Sequence, residues 1–207
     1  MNIRQVFTNE IQSGEGPDLF KYCPRCAGLM AEKEENQVIR KYCPACDYIQ
    51  YRNPLPGVTV LIIEDGKVLL GKRGPASFRP GTWCLPGGFI EFGEDFISAI
   101  HREIREETGL EIEVGSIINV VTNFLSSRLH TLVVVFRANI RGGQLQAGDD
   151  LEALEWFPLK EDLPEMAFES DTYIIERYAA EPIPGIPADE GFRVVNRSAT
   201  TETVFDN

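Results

Sequence analysis

The sequence predicts an α+β fold, a mixed sheet with helices, preceded by a small cysteine module, and three observations carry that expectation. Four of the five cysteines fall as two CxxC pairs, "CPRC" (Cys23, Cys26) and "CPAC" (Cys43, Cys46), with sixteen residues between the pairs. Apolar runs of strand composition flank Asp65-Gly66 and recur at 111–124 and 129–140. Between them Ile97, Ile100 and Ile104 repeat at helical spacing. With 207 residues, 43% of them hydrophobic, the chain has room for one full domain and a small satellite.

Taken in order, residues 1–20 carry Gly, Pro and polar residues without periodicity and are expected to form a flexible lead-in. The cysteine module occupies 21–52. Its spacing matches a two-knuckle zinc site, in which each CxxC turn offers two thiolates to a tetrahedral ion. A pair of disulfides is the alternative, and a reducing compartment disfavours it. The four ligands leave no open position, so the zinc is expected to be structural. "AEKEENQVIRKY" between the pairs suits a short hairpin, and a segment this small needs the metal to fold. Cys84, in "TWCLPGG", reads as a small buried residue of a strand.

"RNPLPG" (52–57) is expected to be a linker because of its two prolines. "VTVLIIEDGKVLLGKR" follows as a hairpin, since Asp-Gly tolerates the positive φ of a tight turn. After the loop "GPASFRPGT" come a short strand at 83–85 and a helix from about Asp95 to Thr108, stopped at Gly109. Two strands are expected at 111–124 and 129–140, the second central, and "LEALEWFPL" closes the sheet region. "FESDTYIIERYAA" predicts a second helix ending before Pro182. The expected divisions are therefore 1–20, 21–52, 53–182 and an extension at 183–207 without a convincing element.

The net charge of −12 argues against a general nucleic-acid binder, whose phosphate affinity rests on clustered Lys and Arg, and no nucleic-acid partner is expected. Were the substrate a phosphate compound, a metal would have to mediate. No apolar run approaches the roughly 18 residues of a membrane span and the N-terminus lacks a secretion signal, so the expected location is the cytoplasm, with no membrane partner.

Within 87–110, "GGFIEFGEDFISAIHREIREETGL", the acids Glu94, Glu103, Glu106 and Glu107 crowd one segment. Two carboxylates about 4 Å apart repel by roughly 4 kcal/mol at an effective dielectric of 20. Residues three and four apart share a helix face, so Glu103, Glu106 and Glu107 can converge on a hard divalent cation such as Mg²⁺. A solvated acidic face is the other reading.

The full spacing goes further. Gly88, five residues, Glu94, seven residues, then Arg102-Glu103-Ile104-Arg105-Glu106-Glu107-Thr108-Gly109-Leu110 match the Nudix box at every defined position, and the sequence resembles a Nudix hydrolase. That resemblance implies an α/β/α sandwich over about 53–182 and catalytic Mg²⁺ or Mn²⁺ held against a pyrophosphate. Glu103 and Glu107 are the implied principal ligands, with Glu106 a third and the Gly88 carbonyl a contributor. Glu94 and Arg102 are the implied brace between loop and helix. A carboxylate must take a proton from water: Glu106 or Glu107, or Asp150 or Glu152 of "AGDDLEALEW", a later loop where several branches carry the base. A homodimer is also implied, with the ribbon a candidate part of its interface.

A zinc ribbon ahead of the box resembles the NADH pyrophosphatase branch and related FAD or ADP-ribose pyrophosphatases. The NADH marker "SQPWPFPxS" is missing, the corresponding region reading "INVVTNFLSSRLH", and Leu125 stands near the place of the ADP-ribose branch's proline. The coenzyme A branch's upstream signature is not evident either. Phe78, Trp83, Phe124 and Phe168 are candidate platforms for a base, Arg73 and Arg79 candidate phosphate contacts, and His101 and His130 are expected to be structural. Three functions follow. The first, favoured, is cleavage of a nucleoside diphosphate joined to another moiety (ADP-ribose, FAD or NADH class), releasing a nucleoside monophosphate. The second is a nucleoside triphosphate pyrophosphatase, and the third a non-catalytic nucleotide-sensing module.

Overall fold

A computed structural model describes residues 4–8 and 20–188. Its elements in order are β1 (Val6–Thr8), β2 (Ala31–Glu35), β3 (Val38–Tyr42), β4 (Ile49–Gln50), β5 (Leu55–Glu64), β6 (Lys67–Arg73), β7 (Trp83–Cys84), α1 (Phe96–Thr108), β8 (Leu110–Phe124), β9 (His130–Gly143), β10 (Leu151–Pro158), α2 (Glu169–Ala180) and β11 (Ile186–Pro187). The residues group into two compact units: 4–7, 56–122 and 132–188 in one, and 8, 20–55 and 123–131 in the other, so the β8–β9 turn groups with the cysteine module.

In the larger unit the sheet runs β1–β8–β9–β5–β6–β10, with β7 on β6 and β11 on β8. The fold is α+β, as the sequence predicts. Alternation along β5 explains its layering. Val58, Val60 and Ile62 pack with Ile97, Ile100 and Ile104 of α1, whereas Leu61 packs with Ile174 and Ile175 of α2. Successive side chains of a strand point to opposite faces, so α1 and α2 cover opposite faces of one sheet, an α/β/α sandwich. β9 lies between β8 and β5, the central place expected of it, and β10 closes the edge.

Three stretches differ from the sequence expectations. β1 forms inside the expected flexible lead-in: it pairs with β8 at the sheet edge, and Phe7 is buried against Tyr173. Tertiary packing supplies there what local periodicity does not show. The expected linker 52–57 already contains the start of β5, because Pro56 sits at a strand beginning where its missing N–H costs nothing and its carbonyl accepts from Ile90 N at 3.1 Å. β11 pairs with β8 inside the expected extension. The rest of both terminal expectations, residues 1–3, 9–19 and 189–207, lies outside the described residues.

In the smaller unit β2 and β3 form the hairpin expected between the knuckles. Its turn residues Asn36 and Gln37 both have positive φ, 51° and 65°, the signature of a two-residue hairpin turn. The two knuckles repeat one geometry. Ala27 N and Asp47 N donate to Cys23 O and Cys43 O, both at 2.9 Å, and Ala27 and Asp47 both lie in the left-handed region, φ 57° and 56°. This brings all four Sγ atoms within 4.8 Å of one another, with Cys23–Cys46 at 3.7 Å and Cys26–Cys43 at 3.5 Å. A disulfide needs about 2.05 Å, so none is formed. Four sulfurs each about 2.3 Å from a shared ion stand about 3.8 Å apart in a tetrahedron, so the cluster fits zinc. No helix among the described residues is long and apolar enough to cross a membrane.

Candidate active site

The acidic segment folds as the sequence dictates. Asp95 caps α1, its Oδ1 accepting from Ile97 N and Ser98 N at 2.9 Å, and Gly109 closes it at φ 69°. The last carbonyls of α1 are covered by the loop after β9. Gln144 N, Gln146 N and Gly148 N donate to the carbonyls of Gly109, Thr108 and Glu107 at 3.2, 2.9 and 3.0 Å. Those bonds satisfy groups a helix end leaves orphaned, and they carry Asp149 and Asp150 to the acidic face of the helix.

The "PGG" turn approaches α1 from the other side. Gly87 has φ 146°, and a Cβ there would stand 2.2 Å from Val58 O, so only glycine fits. Its N–H donates to Glu107 Oε2 at 2.7 Å. At Gly88 a Cβ would meet the Glu103 carboxylate at 2.6 Å. The Gly88 carbonyl accepts from Val58 N at 2.9 Å and retains a second lone pair.

Glu103 and Glu107 are therefore not part of a solvated face, being 7% and 2% exposed, while Glu106 is exposed. Burial pushes the Glu107 carboxyl well above the usual range, with the neighbouring carboxylates of Asp150 and Glu103 acting the same way against the Gly87 N–H. Burial also raises Glu103, opposed by Arg102. Arg102 spans the group. It clasps Glu94 through Nε (3.1 Å) and Nη2 (2.5 Å), donates to Phe89 O at 3.0 Å, and reaches Glu103 and Glu106 through Nη1 at 2.8 and 3.0 Å. The hydrogen bonds from Arg102 hold Glu94 below the usual carboxylate range. The loop is thus tied to the helix by the pair the sequence singles out. Glu103, Glu106 and Glu107 do not bring their oxygens within 4.8 Å of one another as the cysteines do. Two of them turn toward Arg102 instead. The carboxylates of Glu103 and Glu107, both buried, are hard oxygen donors of the kind that fits Mg²⁺ or Mn²⁺.

Of the later acids, Asp150 is beside Glu107 and is held by Arg73 Nη2 at 3.3 Å and Ser77 Oγ at 3.0 Å. Glu152 is not brought there. It sits at a register shift of β10 and pairs with Lys72 Nζ at 2.8 Å. Among the aromatic candidates, Phe78 and Phe168 stack on each other with centroids 5.9 Å apart, and Arg79 and Arg73 lie over their rings at 5.9 and 5.4 Å. Trp83 packs edge-on against Phe157 in the core. Phe124 stacks on His130, in the other unit. His101 is half-buried on α1.

One buried acid escapes sequence reasoning. Asp171, in the first turn of α2, accepts from Leu85 N at 2.9 Å and so fixes the strand that leads into the "PGG" turn. An acid in a first helical turn reads as a dipole partner, and only the fold shows it turned inward. Burial pushes Asp171 up to about 7 from its usual 3.8. The folded state then holds a proton the unfolded chain has lost, so the group's contribution is fully present below 3.8 and is lost as pH rises through about 7. Asp171→Asn keeps an acceptor for Leu85 N and removes the charge. Denaturant unfolding should show wild type losing stability relative to the variant between about pH 5 and about pH 8. An equal difference at both pH values would contradict the assignment.

Comparison with known proteins agrees with this architecture. A profile of the NUDIX domain matches residues 53–178. The chain is 41% identical over 147 residues to an ADP-ribose pyrophosphatase from Methanocaldococcus jannaschii, covering 70% of this chain and 85% of that protein. It is 31% identical over 175 residues to an NAD-capped RNA hydrolase, NudC, from Pseudomonas aeruginosa; that match covers 79% of this chain but only 59% of the relative's length. Among solved structures a NUDIX hydrolase from Nitrosomonas europaea superposes with a TM-score of 0.70 at 26% identity, over 80% of this chain and 96% of that one. With the NUDIX profile matching more than half of the chain, the chain belongs to the NUDIX family, and it is a Nudix hydrolase.

Proposed function

We propose that the chain is a divalent-metal-dependent pyrophosphohydrolase acting on a nucleoside diphosphate joined to a second moiety, with ADP-ribose first among the substrates. The observation that carries this is the burial of Glu103 and Glu107 against the Gly87–Gly88 turn, with Asp150 beside them. The substrate rests on the likeness to the Methanocaldococcus jannaschii ADP-ribose pyrophosphatase.

Glu103, Glu106, Glu107 and the Gly88 carbonyl would hold Mg²⁺ or Mn²⁺, which supplies charge neutralisation at phosphate oxygens and a bound water of lowered pKa. The chain's own residues position this donor set. Gly87 N–H fixes the Glu107 carboxylate, and Arg102, anchored by Glu94, fixes Glu103 and Glu106. We assign Asp150 as the acceptor of the water proton, a role supported by its position beside Glu107, whereas Glu152 is turned to Lys72. Water adds across the P–O–P bond, so ADP-ribose gives AMP and ribose 5-phosphate. Asp150→Asn is expected to lower kcat about 10²- to 10⁴-fold, the usual range for loss of a general base, with Glu152→Gln nearly without effect. Equal losses in both variants would remove Asp150 from that role.

We assign 21–52 to a structural zinc ribbon and 53–182 to the catalytic domain. A homodimer is the proposed assembly, to be tested by light scattering. The deciding assay for substrate offers ADP-ribose, NADH, FAD, an NAD-capped RNA and nucleoside triphosphates with Mg²⁺ or Mn²⁺ and identifies products by mass. A monophosphate with a second phosphorylated fragment supports the reading. Inorganic pyrophosphate from triphosphates alone would replace it with the pool-cleaning activity.

A further inference from the structure

Within the smaller unit a cleft opens between the chain leaving the ribbon, residues 50–55, and the β8–β9 turn, residues 124–130. Its volume is about 660 Å³, the size of a small-molecule site. None of the carboxylates of the acidic helix lines it.

Its chemistry is unlike that of the chain around it. The chain carries 32 acidic against 20 basic residues, yet among the described residues the cleft is lined by Arg52 and Arg128 and by no carboxylate. Arg128 is exposed, and among the described residues Arg52 makes one hydrogen bond, from Nη2 to Ser127 O at 2.8 Å, which leaves guanidinium donors for an anion. The same cleft carries an aromatic surface: Phe124 and His130 stack with centroids 4.1 Å apart and planes 20° from parallel, and the lining residue Tyr51 is exposed.

We propose that this cleft binds a nucleoside monophosphate, with its base against the Phe124–His130 pair and its phosphate on Arg52 and Arg128. Stacking accepts any base, because every base has a π face, and the paired guanidiniums supply the anion contact that an acidic chain otherwise withholds. The Asn53 amide at the same wall adds a donor and an acceptor for ribose or base. The reading does not depend on hydrolysis, since neither the acidic helix nor a divalent cation takes part.

The test is calorimetric titration of the zinc-loaded full chain with AMP, with no Mg²⁺ or Mn²⁺ added and no chelator, alongside adenosine and ribose 5-phosphate. AMP is expected to bind more tightly than either fragment. Arg128→Gln removes the charge from an exposed side chain and is expected to weaken AMP about tenfold or more, as loss of a charged hydrogen bond does. Phe124→Leu is expected to weaken it about tenfold through lost stacking. Zinc content and melting temperature serve as the folding check. Absence of AMP binding, or equal affinity in wild type and both variants, would overturn the proposal. So would a change of molecular mass in the variants without nucleotide binding, which would give the cleft to a second copy of the chain. Hydrolysis with added Mg²⁺ is read separately, so failure here leaves the catalytic reading untouched.

Discussion

Glu107→Gln is expected to lower kcat by roughly a thousandfold without lowering stability, and that combination separates a catalytic group from a structural one. The amide keeps an oxygen to accept from Gly87 N–H, now 2.7 Å from Oε2, so the turn stays anchored. It removes a charge that burial and the neighbouring Asp150 and Glu103 carboxylates all oppose, so the melting temperature should hold or rise. What it cannot supply is the anionic oxygen a divalent cation requires. Kinetics on ADP-ribose with saturating Mg²⁺, beside a thermal melt of the same preparation, check both halves. Activity within a few-fold of wild type would show that Glu107 serves only to pin the turn. Glu107→Ala is the informative contrast. It leaves Gly87 N–H unpaired, and the cost of about 1–3 kcal/mol for a buried orphan donor should appear in the melt as well.

Loss of zinc is expected to unfold residues 21–55 while the sandwich persists. The ribbon's hairpin strands expose half of their residues and bury none of them fully, and the knuckles are held mainly by short backbone bonds around the four sulfurs. Zinc binding supplies about 10–16 kcal/mol in comparable cysteine modules, more than so small a core can replace. The larger unit has its own clusters on both faces of the sheet, including Phe136, Leu61, Ile100 and Ile174. Metal analysis should find one zinc per chain, and Cys43→Ser should abolish it. Hydrogen exchange should then rise across β2–β4 and stay low in β5, β9 and α1. Unchanged protection of β2–β4 in the zinc-free variant would show that the ribbon folds without the ion.

Much of this fold is written locally. The Asp65-Gly66 hairpin turn has φ of 47° and 74° at its two residues, Gly109 adopts the left-handed conformation at the end of α1, and the Ile97, Ile100, Ile104 stripe is buried as its spacing demands. Those signals need only neighbours in sequence. β1 and β11 are legible nowhere in their own residues, because both exist by pairing with β8, more than a hundred positions away from β1. The site divides in the same manner. Glu94, Arg102 and Glu103 stand at fixed spacings on one segment and are joined through the Arg102 guanidinium, while Glu107 bonds to the Gly87 turn instead. Asp150 and Glu152 are two residues apart with the same charge, and a register shift in β10 sends one to Glu107 and the other to Lys72. Asp171 shows the limit most plainly: its partner, Leu85 N, lies 86 residues earlier in the chain.

Binding of Mn²⁺ to the zinc-loaded chain, followed by electron paramagnetic resonance, puts the most direct question to the acidic helix. Wild type should take up manganese at a site lost in the Glu103→Gln/Glu107→Gln double variant, whose fold the melting curve shows to be intact. Equal uptake by both proteins, or none by wild type in the presence of ADP-ribose, would mean that these buried glutamates do not hold the ion on which the chemistry rests.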